Sequence, residues 1–76
     1  MVSEKLKGVI LKELELDDWD IQDETTAETV PGWDSLSHVR IVNAVEDAYR
    51  VRFRTSEIVR LRNVGQLQEL LDKKLS

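Results

Sequence analysis

Apolar residues along this chain fall into three stripes at helical spacing, and nowhere into a strand-like alternation of useful length. Leu6, Val9, Ile10 and Leu14 follow the i, i+3, i+4 rule and predict a first helix over about residues 3–14. Ser3 is placed to cap it, and Glu4 suits its first turn. Gly8 weakens this helix by about 1 kcal/mol relative to Ala and reads as a point where another helix comes close. Ile41, Val42, Val45, Ala48 and Tyr49 gather on one side of a second helix. It begins at Asp34 or Ser35, with Asp34 as N-cap, and ends near Tyr49 and Arg50. A short helix is expected over residues 56–61, capped by Thr55. Asn63, with Gln66 three residues on, forms a capping-box pattern that opens a last helix with the stripe Val64, Leu67, Leu70, Leu71 and Leu75. The expected fold is all-α: a small antiparallel helical bundle of three longer helices plus one short helix.

Residues 15–33 form a long acidic connection carrying Glu15, Asp17, Asp18, Asp20, Asp23, Glu24 and Glu28. Loops beyond about 12–15 residues are uncommon in compact folds and are often functional. Leu16, Trp19, Ile21, Val30 and Trp33 are expected to pin it to the bundle, the two indoles as anchors because aromatic rings bury large areas. It closes at Pro31-Gly32, a strong turn signal.

On the helical wheel of the second helix, Leu36 and Val39 fall outside the buried stripe, on an arc with Arg40, Asn43, Glu46 and Asp47. Two apolar residues rimmed by charges beside a helix start look like a small docking spot. Ser35 stands at that start, where free N–H groups and the helix dipole favour a phosphate group. The plainer reading is that Ser35 only helps to begin the helix. Asp34, Ser35 and His38 also suggest a hydrolase. A triad, however, needs a base aimed at the serine and an oxyanion hole. His38 is three residues from Ser35 on one helix and lies in the core arc, so it reads as a packed or rim histidine, and no catalytic residue is expected.

Composition narrows the choice. The 76 residues fit one free-standing domain, 1–76. A chain of this size buries only about 60% of its unfolded surface and cannot enclose a deep active site. No cysteine and a single histidine leave neither disulfide nor metal cluster, a pattern that fits a reducing cytoplasm. No run of 18 apolar residues exists to span a membrane. The first residues lack a signal-peptide pattern, and the last carry no lipidation motif. Of the net charge of −4, residues 1–39 contribute −7 (ten acids, three bases) and residues 40–62 contribute +3 (six arginines, three acids). The acidic total argues against nucleic acid, so the arginine-rich middle reads as a docking feature or as plain solvated surface.

The run Pro31-Gly32-Trp33-Asp34-Ser35-Leu36-Ser37-His38-Val39 resembles the Asp-Ser-Leu signature of acyl carrier proteins. Residues 41–49 resemble that family's second helix with its terminal aromatic. Val51-Arg52-Phe53 resembles the apolar segment after it, and Asn63-Val64-Gly65-Gln66-Leu67 resembles the start of the family's last helix. The resemblance covers essentially the whole chain. It implies a carrier without catalytic activity, in which Ser35, between Asp34 and Leu36, bears 4′-phosphopantetheine taken from coenzyme A; nothing in the sequence demands more than a monomer. Thioester cargo rides on that arm, a phosphopantetheinyl transferase attaches it, and acyl-loading and acyl-transferring enzymes are the other partners. Leu36, Val39, Arg40, Asn43, Glu46 and Asp47 would form the docking face. Arg40 stands where fatty-acid carriers usually have an acid, Ser37 replaces a common Asp, and Ala48 a common Glu. Arg52, Arg54, Arg60 and Arg62 make the next region basic. These departures suggest a polyketide, modified-lipid or other specialised pathway, with partners that present acids opposite Arg40. A peptidyl carrier is the nearer alternative, though Gly-Trp-Asp-Ser departs from its usual Gly-Gly-His/Asp-Ser. A helical interaction module that is never modified is the other.

Overall fold

The computed structural model describes residues 2–75, so the expected span of 1–76 runs one residue beyond it at each end. Three helices stand where the apolar stripes predict them, α1 (Glu4–Glu13), α2 (Ser35–Tyr49) and α4 (Val64–Leu75), and a short one, α3 (Thr55–Ile58), lies between the last two. The long connection adds a single 3-10 turn, Ala27–Thr29, that the pattern did not predict.

Local chemistry sets most helix ends. The Ser3 hydroxyl accepts the Leu6 N–H at 3.2 Å and starts α1. Arg50 ends α2 in the left-handed conformation (φ 55) and returns its N–H to the Glu46 carbonyl. Asn63 Oδ1 accepts the Gln66 N–H at 2.9 Å, whereas the Gln66 side chain reaches past Asn63 to the Arg62 N–H at 2.7 Å. The capping box is therefore one residue wider than the sequence pattern implies. The short helix differs more. Thr55 is its first residue and not its cap, and the helix stops at Ile58, three residues before the expected Leu61. Glu57 Oε1 accepts the Arg54 N–H at 2.8 Å, which places Arg54 at the N-cap position. The chain beyond Ile58 tightens into i→i+3 bonds, with Leu61 N–H on the Ile58 carbonyl at 3.1 Å.

The core joins Leu6 and Ile10 of α1, Ile41 and Val45 of α2, and Val64, Leu67 and Leu71 of α4 with Ile21 and Val30 of the connection. Each such side chain contributes about 1.5–3 kcal/mol on full burial. α1 and α2 run antiparallel: Lys5 at the start of α1 donates to the Ala48 carbonyl at 3.1 Å and covers the Tyr49 ring at 4.5 Å. Two stripe residues depart from expectation. Leu75 is 53% exposed because α4 outruns the bundle, and Leu70 is only half-buried. Gln68, which the stripe leaves out, is buried. It accepts the Ser3 N–H and donates to Asp72, both at 2.9 Å.

The connection is fastened mainly by backbone. The Val64 N–H donates to the Thr25 carbonyl at 2.9 Å, and the Gly65 N–H to the Asp23 carbonyl at 2.8 Å. The loop thereby takes up two of the free N–H groups that every helix start presents. A Cβ on Gly65 would lie 2.9 Å from both the carbonyl oxygen and the Cβ of Asp23. Of the five expected anchors, Ile21 and Val30 are buried, and Leu16 and Trp33 pack partly against the core. Trp19 does not anchor. It is 39% exposed and lines an open groove with Lys7, Gly8 and Leu11 of α1, because the exposed Asp17, Asp18 and Asp20 hold its segment in solvent. No close helix approach exists at Gly8 either, since an added Cβ there meets nothing within 4 Å.

The two glycines are therefore expected to respond oppositely to alanine. Gly65→Ala overpacks the loop seat and is expected to lower unfolding free energy by about 1–3 kcal/mol. Gly8→Ala is expected to raise it by up to about 1 kcal/mol. Urea denaturation midpoints of the two variants against the parent check both signs.

Candidate functional site

The site is built by the first turn of α2. Asp34 holds an extended backbone (φ −101, ψ −170), and its carboxylate accepts the Ser37 N–H at 2.8 Å. Its carbonyl takes the His38 N–H at 2.9 Å and opens the helical ladder. The Ser37 N–H is also the main reason that the Asp34 carboxyl is held below its ordinary value of 3.8. Gly32 enters the turn at φ 80, a conformation that favours glycine, and the Trp33 N–H closes onto the Val30 carbonyl at 3.3 Å.

Ser35 follows as the first residue of α2 and is exposed, as are Asp34 and Leu36 on either side. Among the described residues no base is aimed at its hydroxyl. The Asp34 carboxylate is engaged at Ser37, and His38 Nδ1 accepts the Trp33 indole N–H at 3.1 Å. The hydrolase reading therefore has neither of its two supporting groups in place.

The sequence pattern does not predict the Trp33–His38 pair. The rings lie 6.2 Å apart with a 26° interplanar angle, and both line a small cavity of ≈ 50 Å³ with Leu61, Val64 and Leu67. The spacing could have revealed it. Trp33 immediately precedes the N-cap and His38 is the fourth helical residue, the two positions a hydrophobic staple joins. Here a hydrogen bond reinforces that contact and fixes the entry angle of the chain into Ser35.

On the outward arc, Leu36 and Val39 are 64% and 55% exposed. Arg40, Asn43 and Asp47 are exposed beside them. Glu46 is only half-buried, and its Oε2 accepts the Phe53 N–H at 2.8 Å, tying the segment after α2 back to the helix. Val39 and Asn43 border an open groove of ≈ 330 Å³ whose far wall is Arg52, Phe53 and Ile58. The structure thus brings five of the six expected docking residues to open surface and gives the sixth, Glu46, an internal partner. Among the described residues, no group of His, Cys, Asp or Glu side chains could hold a metal, and no helix is long and apolar enough to cross a membrane.

No protein-family model and no curated protein matches the chain. Among solved structures it is similar to the solution structure of holo acyl carrier protein from Geobacter metallireducens. The two share 35% sequence identity with a TM-score of 0.89, over 95% of this chain and 83% of that one.

The depressed Asp34 carboxyl links the site to pH. A carboxylate favoured in the folded state adds stability above its unfolded value, and that contribution fades as pH falls through the lower folded value. Asp34→Asn keeps an acceptor oxygen but does not titrate. The stability advantage of the parent over Asp34→Asn is expected to shrink between about pH 6 and about pH 3, read from urea midpoints at each pH. An advantage that is constant across that range would contradict the assignment.

Proposed function

We propose that this chain, which belongs to the acyl carrier protein family, holds acyl groups as thioesters on a 4′-phosphopantetheine arm esterified to Ser35 and delivers them to partner enzymes. Members of the family are carriers with no catalytic activity of their own. The observation that carries the proposal is an exposed serine hydroxyl at the first residue of α2, in a chain that matches a holo carrier along nearly its whole length.

The residues present suit that group. Ser35 has open solvent in front of it, as attachment by another enzyme requires. The N-terminal end of α2 carries about half an elementary positive charge, which favours a phosphodiester there. Asp34 and the Trp33–His38 contact keep the turn in one shape, so the arm would swing from a fixed point. When bound, the prosthetic group supplies the thiol that a cysteine-free chain lacks. Leu36 and Val39 lie within about one helical turn of Ser35 and offer the apolar surface on which a partner could settle.

The partners proposed are a phosphopantetheinyl transferase and the acyl-loading and acyl-transferring enzymes of one dedicated pathway. The dedicated pathway is supported by Arg40 and the arginines that follow α2, which give this carrier a basic face. Basic partners would be repelled there, and like charges across an interface select against the wrong partner.

Incubation with coenzyme A and a broad-specificity phosphopantetheinyl transferase is expected to add the mass of one phosphopantetheine to the parent and nothing to Ser35→Ala. No mass gain in the parent would leave an unmodified helical module, and a gain that survives Ser35→Ala would move the attachment elsewhere.

A further inference from the structure

Residues 40–62 contain three carboxylates against six arginines, and the fold withdraws two of the three from the surface. Glu46 accepts the Phe53 N–H. Glu57 accepts the Arg54 N–H and pairs with Lys74 at 3.0 Å. Asp47 alone stays exposed without such a bond. Arg40, Arg52 and Arg60 are exposed, and none has a carboxylate within ion-pair distance among the described residues. The open charge of this segment is thus more positive than its composition suggests.

The arginines also frame apolar surface. Arg52 stands on the far wall of the ≈ 330 Å³ groove between α2 and α3 with Phe53 and Ile58, and Val42 and the exposed Val39 also line it. Arg40 flanks Leu36 and Val39 on the other side of the outward arc. Val59, directly after Ile58 in the chain, is 73% exposed.

We infer that this face receives a partner protein whose contact surface sets carboxylates around an apolar projection, the projection seated in the groove and the carboxylates opposite Arg40 and Arg52. The inference rests on the reading of Ser35 as the attachment point. Val39 is one turn along α2 from Ser35, so a partner seated there meets the arm. The surface suits a protein better than a polyanion. A phosphate lattice gains nothing from the exposed apolar side chains of Leu36 and Val39. Opposed charges of this kind act mainly on encounter rate, which makes rate the quantity to measure.

The test uses the transferase reaction at Ser35 with two forms of one broad-specificity phosphopantetheinyl transferase. One has a basic rim around its active site, and in the other those basic residues are exchanged for glutamate. The readout is kcat/KM for mass gain. With the acidic-rimmed enzyme, the doubly exchanged variant Arg40→Glu, Arg52→Glu is expected to react about tenfold slower than the parent, and with the basic-rimmed enzyme about tenfold faster. The milder variant Arg40→Gln, Arg52→Gln is expected to fall between, and circular dichroism of both variants to match the parent. Equal ranking of parent and variant with the two enzymes would overturn the inference while leaving Ser35 as the attachment point. Absence of mass gain with both enzymes would remove the Ser35 reading and this inference with it. Parent binding to vesicles of phosphatidylserine and phosphatidylcholine that is lost in Arg40→Glu, Arg52→Glu would assign the face to a lipid surface and also overturn the protein partner.

Discussion

The arrangement depends on two backbone hydrogen bonds at the start of α4, where Val64 and Gly65 donate to Thr25 and Asp23. A loop of this length has no ladder of its own, and its ordering must offset roughly 1–2 kcal/mol of backbone entropy per residue. Seating it on a helix start satisfies donors that would otherwise need water or a cap. Once 23–25 are fixed, Ile21 enters the core on one side and Val30 on the other. The turn at Gly32 then has a fixed origin, and Asp34 arrives where it can cap α2. The position of Ser35 is thus settled at the opposite side of the loop, through a contact that none of the site residues makes. Asp23 ties in a third piece of chain, since its Oδ1 accepts the Val2 N–H at 2.8 Å.

A second set of bonds fixes the far side of α2. Glu46 holds Phe53, the Phe53 ring lies 5.6 Å from the Lys74 ammonium, Lys74 pairs with Glu57, and Glu57 holds Arg54. The links run from α2 through the following segment to α4 and back to α3. α3 is only four residues long, too short to be stable alone, so these side chains hold it in place. The groove between α2 and α3 is lined by members of this chain of contacts, Glu46 and Phe53, and by Ile58.

What the sequence made legible was local or periodic. Ser3, Asp34 and Asn63 cap their helices as read because a cap and its donor are three residues apart. Leu6, Ile10, Ile41, Val45, Leu67 and Leu71 are buried as read because each repeats at helical spacing. What it hid was tertiary. Gly8 and Gly65 look alike in the chain, and only the fold shows that Asp23 crowds the second and nothing crowds the first. Trp19 has the composition of an anchor, but three neighbouring acids keep its segment in solvent. Gln68 sits off the apolar stripe and is buried nonetheless, because the Ser3 N–H and Asp72 satisfy its amide. At the site, the exposure of Leu36 and Val39 follows from the wheel, and that of Ser35 from its place at the helix start. The inward turn of Glu46 did not, since no wheel shows a partner seven residues away on another segment.

That inward turn has a consequence for how such a carrier can diverge. A carboxylate that fastens a helix to the strand of chain beyond it answers to the architecture whatever its neighbours in the cell are, so Glu46 is poorly free to vary. Among the described residues the side chains of Arg40 and Arg52 make no hydrogen bond or ion pair, and they carry no such duty. Lineages that change allegiance between enzyme sets would be expected to rewrite those two positions first, leaving the scaffold that displays them untouched.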